Sequence, residues 1–172
     1  MRSPKADLAR ARKALAERPD LANLVLLAAE PLLDQVMEPA HAAKVFLPML
    51  LGRETEALAA CALDQRNRVI GTTILTTGSS RFTVVDPCHI FRWALTCHRR
   101  MPSTVLIAHN HPSGDPAPSV QDREVTRRVA SAGRTLGIRL ADHLIIADPG
   151  RWVSLAELGE LPPFHEQPSW TA

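Results

Sequence analysis

Tyrosine is absent from this chain, and aromatic residues make up only 4% of it. Proteins that hold single-stranded nucleic acid stack its bases on aromatic rings, so that mode of binding has little to work with here. Cysteine is also scarce. Cys61, Cys88 and Cys97 are an odd set with no close pairs, which excludes a disulfide framework and fits a reducing compartment. No apolar run approaches the roughly 18 residues needed to span a bilayer. Residues 1–18 are charged and Ala-rich, without the apolar centre of a secretory signal. A soluble, cytoplasmic protein with no membrane partner is expected. An excess of charge of one sign is missing as well: the net charge is +2, which demands no polyanionic partner. Arg99, Arg100, Arg123, Arg127, Arg128 and Arg134 are interleaved with acids, so nucleic acid is left open as a partner but not favoured.

What the chain does have is an ordinary 45% of apolar residues over 172 positions, enough for one domain with a core. Residues 5–51 are rich in Ala and Leu and predict helices. One covers about 5–17, and a second runs from Asp20 through "LANLVLLAAEPLLDQV", broken or kinked at Pro31. A third lies in "EPAHAAKVFLPMLLG" (38–52), closed by Gly52. This block carries no constellation of charges that suggests chemistry, and packing or subunit contact is its expected role. Beyond it the character changes. "RVIGTTILTT" (68–77) is β-branched and reads as a strand. "EALAACALD" (56–64) favours helix by composition, yet the polar "DQRN" between the two segments fits a hairpin turn, which would draw 56–64 into a strand. Asp86 and Pro87 look like the cap and first position of a helix over 86–100 with Ile90, Phe91, Ala94 and Leu95 on one face. "STVLIA" (103–108) reads as a buried strand. A helix from Ser119 places Val125, Val129, Ala132 and Leu136 on one face and ends at Gly137. "IRLADHLIIAD" (138–148) is a further strand, and "WVSLAELG" (152–159) a small strand or turn leading into a short helix. The proline-rich end is expected to fray.

The densest chemistry is "AHNHPSGDPAPSVQD", residues 108–122. His109 and His111 stand at i and i+2 where a strand runs out, so both side chains point to one side. Pro112, Gly114, Pro116 and Pro118 stiffen the turn that follows. Asp122 lies on the first turn of the next helix and can face back toward the strand end. Two nitrogens and one oxygen would leave the fourth position of a tetrahedral ion open to water, the arrangement of a catalytic rather than a structural zinc site. Ser119 and Asp122 also have the spacing of a capping box, which needs no ion at all.

The combined pattern His109-x-His111-x7-Ser119-x2-Asp122 resembles the motif of the JAMM metalloprotease superfamily, also called MPN-plus or JAB. "HNHPSGDPAPSVQD" is similar more narrowly to the RadC branch, in its short form without an N-terminal helix-hairpin-helix domain. The similarity runs from about Pro39 to Leu161 and includes "ALDQRNRVIG", "ILTTGSS", "VDPCHIFRWAL", "ADHLIIAD" and "WVSLAELGEL". The resemblance implies that His109, His111 and Asp122 bind Zn2+ and that Ser119 hydrogen-bonds the attacked carbonyl and its oxyanion. It implies a general base at Glu56, upstream of "DQRN", with Glu54 as the alternative. It also implies an α/β sandwich of JAB/MPN type: a curved mixed sheet with the 87–100 and 119–136 helices on its faces. Residues 1–51 would be a helical extension able to mediate oligomer contacts, 52–161 the RadC-like domain and 162–172 a flexible tail.

One departure stands out. Pro87-Cys88-His89 occupies the place where RadC-like chains usually read Pro-Arg-Glu. Cys88 and Cys97 fall on opposite sides of their helix and cannot share an ion there. His143, in "ADHL", matches the family too and reads as a hydrogen-bonding residue rather than a ligand.

The reading that follows is a zinc-dependent hydrolase of peptide or isopeptide bonds, with a protein substrate that includes ubiquitin-like conjugates. The alternatives are a RadC-type DNA-repair protein and a non-catalytic MPN scaffold. HNH nucleases need a ββα-metal unit with widely separated His, Asn and His, so the adjacent letters here are coincidence. Nucleoside deaminases require His-x-Glu and Pro-Cys-x-x-Cys, and Pro87-Cys88 lacks the second cysteine.

Overall fold

The computed structural model describes residues 35–77, 86–147 and 150–164. The helices expected over 5–17 and from Asp20 onward therefore lie outside the described residues, except for the last two positions of the second. These are extended, not helical: Gln35 forms an antiparallel bridge with Arg68, and the Val36 N–H donates to the Asn67 carbonyl at 2.8 Å.

Five strands, β1 (Ala57–Leu63), β2 (Val69–Thr77), β3 (Thr104–His111), β4 (Arg139–Ala147) and β5 (Arg151–Ser154), form one sheet in the order β2-β1-β3-β4-β5. Every neighbouring pair is antiparallel except β3 and β4. That parallel pair needs a crossover, which α3 (Val120–Leu136) supplies. The other described helices are α1 (Pro39–Leu50) and α2 (Pro87–Thr96). The result is the expected α/β sandwich, with a different division of helices between its faces.

β1 is a strand despite its Ala-rich composition because it has a partner on each side. All seven of its residues are buried, and their small side chains let helices approach both faces. On one face Leu58, Ala60, Ala62, Val105 and Ile107 pack beneath both α2 and α3, through Ile90, Phe91, Ala94, Val125 and Val129. On the other, Ala59, Cys61, Leu106, Ala108, Leu144 and Ile146 pack against α1 through Ala42, Phe46 and Leu50. The sequence reading put α2 and α3 on the two faces and left 39–50 with the extension. In the structure α2 and α3 share one face, and α1, with Phe46 and Leu50 fully buried, closes the other. Burial raises the Cys61 thiol to about 12, so it remains an inert apolar side chain.

Local signals account for the ends of the elements. The Asp86 side chain accepts from the Cys88 N–H at 2.9 Å, and Pro87 follows as the first helical residue. Gly137 ends α3 in the left-handed conformation at φ 69°. In the β1–β2 turn, Asp64 accepts from the backbone of Arg66 and Arg68 at 2.8 and 3.1 Å. Three details correct the sequence reading. Leu95 and Leu136 are 39% and 50% exposed, because α2 and α3 bury narrower stripes than their apolar residues outline. In α3, Thr126, Ala130 and Gly133 take up that buried stripe instead. After β5, residues 155–159 make hydrogen-bonded turns ending at Gly159 and no helix. Residues 165–172 lie outside the described part.

Candidate metal centre

β3 runs farther than its apolar core, through Asn110 to His111. Alternation along the strand then turns His109 and His111 toward α3 and Asn110 toward the opposite side. The first turn of α3 meets the two imidazoles with Asp122. His109 Nε2 lies 2.9 Å from His111 Nε2 and 3.1 Å from Asp122 Oδ1. His111 Nε2 is 3.5 Å from Asp122 Oδ2. Ligands bonded tetrahedrally to one zinc at about 2.0–2.1 Å must stand about 3.3 Å apart, so this spacing suits a single ion. Among the described residues, His109, His111 and Asp122 are the one group of this kind, their donor atoms all within 4.8 Å of one another.

Proton positions favour the same conclusion. His111 Nδ1 lies 2.8 Å from the Asp115 carbonyl, which can only accept, so Nδ1 carries the hydrogen and Nε2 presents its lone pair. The cluster attracts positive charge. The hydrogen bond to Asp122 raises the His111 pKa, against its partial burial. Burial works to raise the Asp122 pKa, but the His109 and His111 imidazoles and the Ser119 hydroxyl beside it prevail and hold its carboxyl far below the usual range. His109 is wholly buried, and burial pushes its pKa down in spite of Asp122. A metal cation answers both demands of the site: it meets the carboxylate's charge and accepts the imidazole lone pairs.

Ser119 is both the helix cap and a support for Asp122. Its hydroxyl accepts from the Asp122 N–H at 3.1 Å and donates to Asp122 Oδ2 at 2.6 Å. Its backbone N–H donates to the same oxygen at 2.7 Å. The capping box is therefore present in full, and it fixes the rotamer that aims Oδ1 at His109. The loop between β3 and α3 is held at Gly114, whose carbonyl accepts from Arg151. Arg123 bonds the Pro118 carbonyl at 2.5 Å and Glu160 at 2.7 and 2.9 Å.

Glu56 immediately precedes β1. Leu58 pairs with His109, and continuing that antiparallel register by two residues brings Glu56 opposite His111, on the same face. Its negative charge acts on both His109 and His111. Glu54 is exposed, on a bend before the strand, and enters none of these interactions. Of the two candidate bases, the structure brings Glu56 to the cluster.

Sequence reasoning missed Asn110. Its side chain accepts from the Ala57 N–H at 2.8 Å and donates to the carbonyls of Arg53 and Thr55 at 3.2 and 3.1 Å. One buried amide thus ties down the backbone on both sides of Glu56. The signal was available: a polar residue between two strand histidines must face the other side and find partners there. His143 accepts no place among the candidate ligands. It lies behind His109, with Nε2 2.9 Å from His109 Nδ1 and Nδ1 2.7 Å from Thr126 Oγ1. Cys88 is exposed and Cys97 half-buried, the latter against the backbone of Gly71.

Residues 36–160 match the RadC-like JAB domain family. The chain belongs to that family. It is 40% identical over 124 residues to a UPF0758 protein of Chloroflexus aurantiacus, covering 72% of this chain and 52% of that one. Over 108 residues it is 43% identical to a UPF0758 protein of Thermotoga maritima, covering 63% and 47%. Over 136 residues it is 35% identical to one from Desulfitobacterium hafniense, covering 78% and 58%. The chain spans about half the length of the curated relatives it matches. Membership of the RadC-like JAB family and the His109–His111–Asp122 triad are together compatible with a metal-dependent hydrolase. No helix among the described residues is long and apolar enough to cross a membrane.

Proposed function

We propose that this RadC-like JAB domain is a zinc-dependent hydrolase of peptide or isopeptide bonds. The observation that carries the reading is the convergence of His109, His111 and Asp122 on one point, with Glu56 close enough for its charge to act on both histidines. His109, His111 and Asp122 would hold the ion, which would supply Lewis-acid charge and make the attacking water more acidic. The residues of the chain do the rest. Glu56 takes a proton from the attacking water as its oxygen bonds to the carbonyl carbon. It returns the proton to the amide nitrogen as the C–N bond breaks, so that a carboxylic acid and an amine leave. Ser119 turns its hydroxyl proton from Asp122 Oδ2 toward the developing oxyanion, while its N–H stays on Oδ2 and keeps the carboxylate aimed.

A lysine-linked tail of a ubiquitin-like protein is the substrate we infer from the family resemblance. The basic residues offer less to a phosphate backbone than their number suggests, since Arg100, Arg123 and Arg127 pair with Asp64, Glu160 and Glu124. Metal analysis and assays on peptide and isopeptide libraries test the proposal. Wild type should hold one zinc and cleave, Glu56→Gln should hold zinc and not cleave, and His109→Ala should do neither. Equal behaviour of all three, or an ion other than zinc, would overturn it.

A further inference from the structure

Two imidazoles can share one ion only if both present a bare nitrogen to it, and for His111 the Asp115 carbonyl settles which nitrogen that is. His109 meets another imidazole. Its Nδ1 faces His143 Nε2 at 2.9 Å, and a neutral imidazole can donate or accept at either nitrogen. The ambiguity is resolved farther away. His143 Nδ1 lies 2.7 Å from the Thr126 hydroxyl, which lies 2.6 Å from the main-chain carbonyl of Asp122. A carbonyl has no proton to give, so the single hydroxyl proton of Thr126 goes to it. The Thr126 oxygen must then accept from His143 Nδ1–H, which leaves His143 Nε2 as an acceptor. His109 accordingly donates from Nδ1 and turns the lone pair of Nε2 toward His111 and Asp122. His109, Thr126 and His143 are all fully buried, so bulk water does not compete for these bonds.

We propose that Thr126 and His143 are positioning residues that set the tautomer of His109, with Thr126 deciding the direction of the whole chain. Thr126 is four residues beyond Asp122 on α3, one turn further into the helix, so the same helical segment supplies an anionic ligand and the orienting group for a neutral one. The inference rests on the metal centre of the preceding section and adds a requirement to it: a hydroxyl that touches no ligand side chain governs how tightly the ion is held.

The tests use the full chain. Long-range proton–nitrogen NMR of the zinc-loaded protein should find the ring hydrogen on Nδ1 at both His143 and His109; a hydrogen on Nε2 of His143 would overturn the inference without any variant. Zinc affinity is then measured by competition with a chromogenic chelator, alongside the melting curve of each metal-free variant. Thr126→Val, which removes the hydroxyl and keeps the shape, should weaken binding roughly 10- to 100-fold. Thr126→Ser should restore it. If Thr126→Val holds zinc as tightly as wild type while His109→Ala does not, the relay is refuted and the metal centre stands. If His109→Ala binds as well as wild type, or wild type binds no zinc, the metal centre falls and the relay with it.

Discussion

Asn110 shows how a side chain that faces away from a site can govern it. Its amide joins Arg53, Thr55 and Ala57, and these bonds replace the ladder contacts that a strand end lacks. Glu56 sits between those anchors, so its distance from His109 and His111 depends on an amide on the other side of the sheet. Asn110→Ala should leave zinc content unchanged and lower turnover by up to about a hundredfold, the scale of loss when a reacting group is displaced by roughly 1 Å. Comparing kcat with metal content in the purified variant checks this, because loss of zinc along with activity would mean that Asn110 serves the ligands instead. Residue by residue, the ligands were legible because His-x-His, Ser and Asp occur at a spacing that only a strand, a loop and a helix start can close. Asn110 was legible only as a polar residue facing away from the histidines, since its partners are backbone groups that any residue supplies; Thr126 was not, since its partner His143 comes from a different element.

At the scale of elements, close approach decides stability more than apolar content does. A Cβ at Gly133 would collide with the Ile138 carbonyl and stand 3.1 Å from the Phe91 ring. The same glycine accepts the Ile138 N–H at 2.9 Å through its own carbonyl, so α3 turns into β4 across a point with no room for a side chain. Gly133→Ala should cost about 1–3 kcal/mol, as overpacking does, read as a lower midpoint in urea with zinc stoichiometry unchanged. The β1–β2 turn carries a pH dependence. Burial favours the neutral form of Asp64, but the N–H groups of Arg68 and Arg66 and the Arg68 guanidinium outweigh it and lower its pKa from 3.8. A depressed carboxyl stabilises the fold above its unfolded pKa, and that contribution disappears as pH falls through the folded value. Asp64→Asn should therefore be less stable than wild type near pH 6, and the gap should close as pH drops below about 3.8. A gap of constant size across denaturation curves at successive pH values would mean that charge plays no part. The turn and β1 itself could be anticipated from "DQRN" and the strand beyond it. The division of helices between the two faces could not, because Ala-rich segments fit either side of a sheet equally well.

For the whole molecule, an ion held by His109, His111 and Asp122 would be a third layer of cohesion beside the two packed faces. It would join β3 to α3, and a ligand that binds only the folded state adds RT ln(1 + [L]/Kd) to stability. Zinc at about a thousand times its Kd should add about 4 kcal/mol, which for a chain of this size raises Tm on the order of 10 °C. Chelation should reverse the gain and His109→Ala should abolish it; calorimetric scans with and without metal decide. The parallel pairing of β3 with β4 has a further consequence. The candidate ligands, their cap and the proposed relay behind His109 all come from the β3–α3–β4 unit, whereas Glu56 arrives from the head of β1. In the mechanism we propose, holding the ion and carrying the proton are therefore separate inheritances. A single base change at the Glu56 codon would turn a cutting protein into one that recognises the same substrate and releases it whole, with no trace of the conversion in its fold.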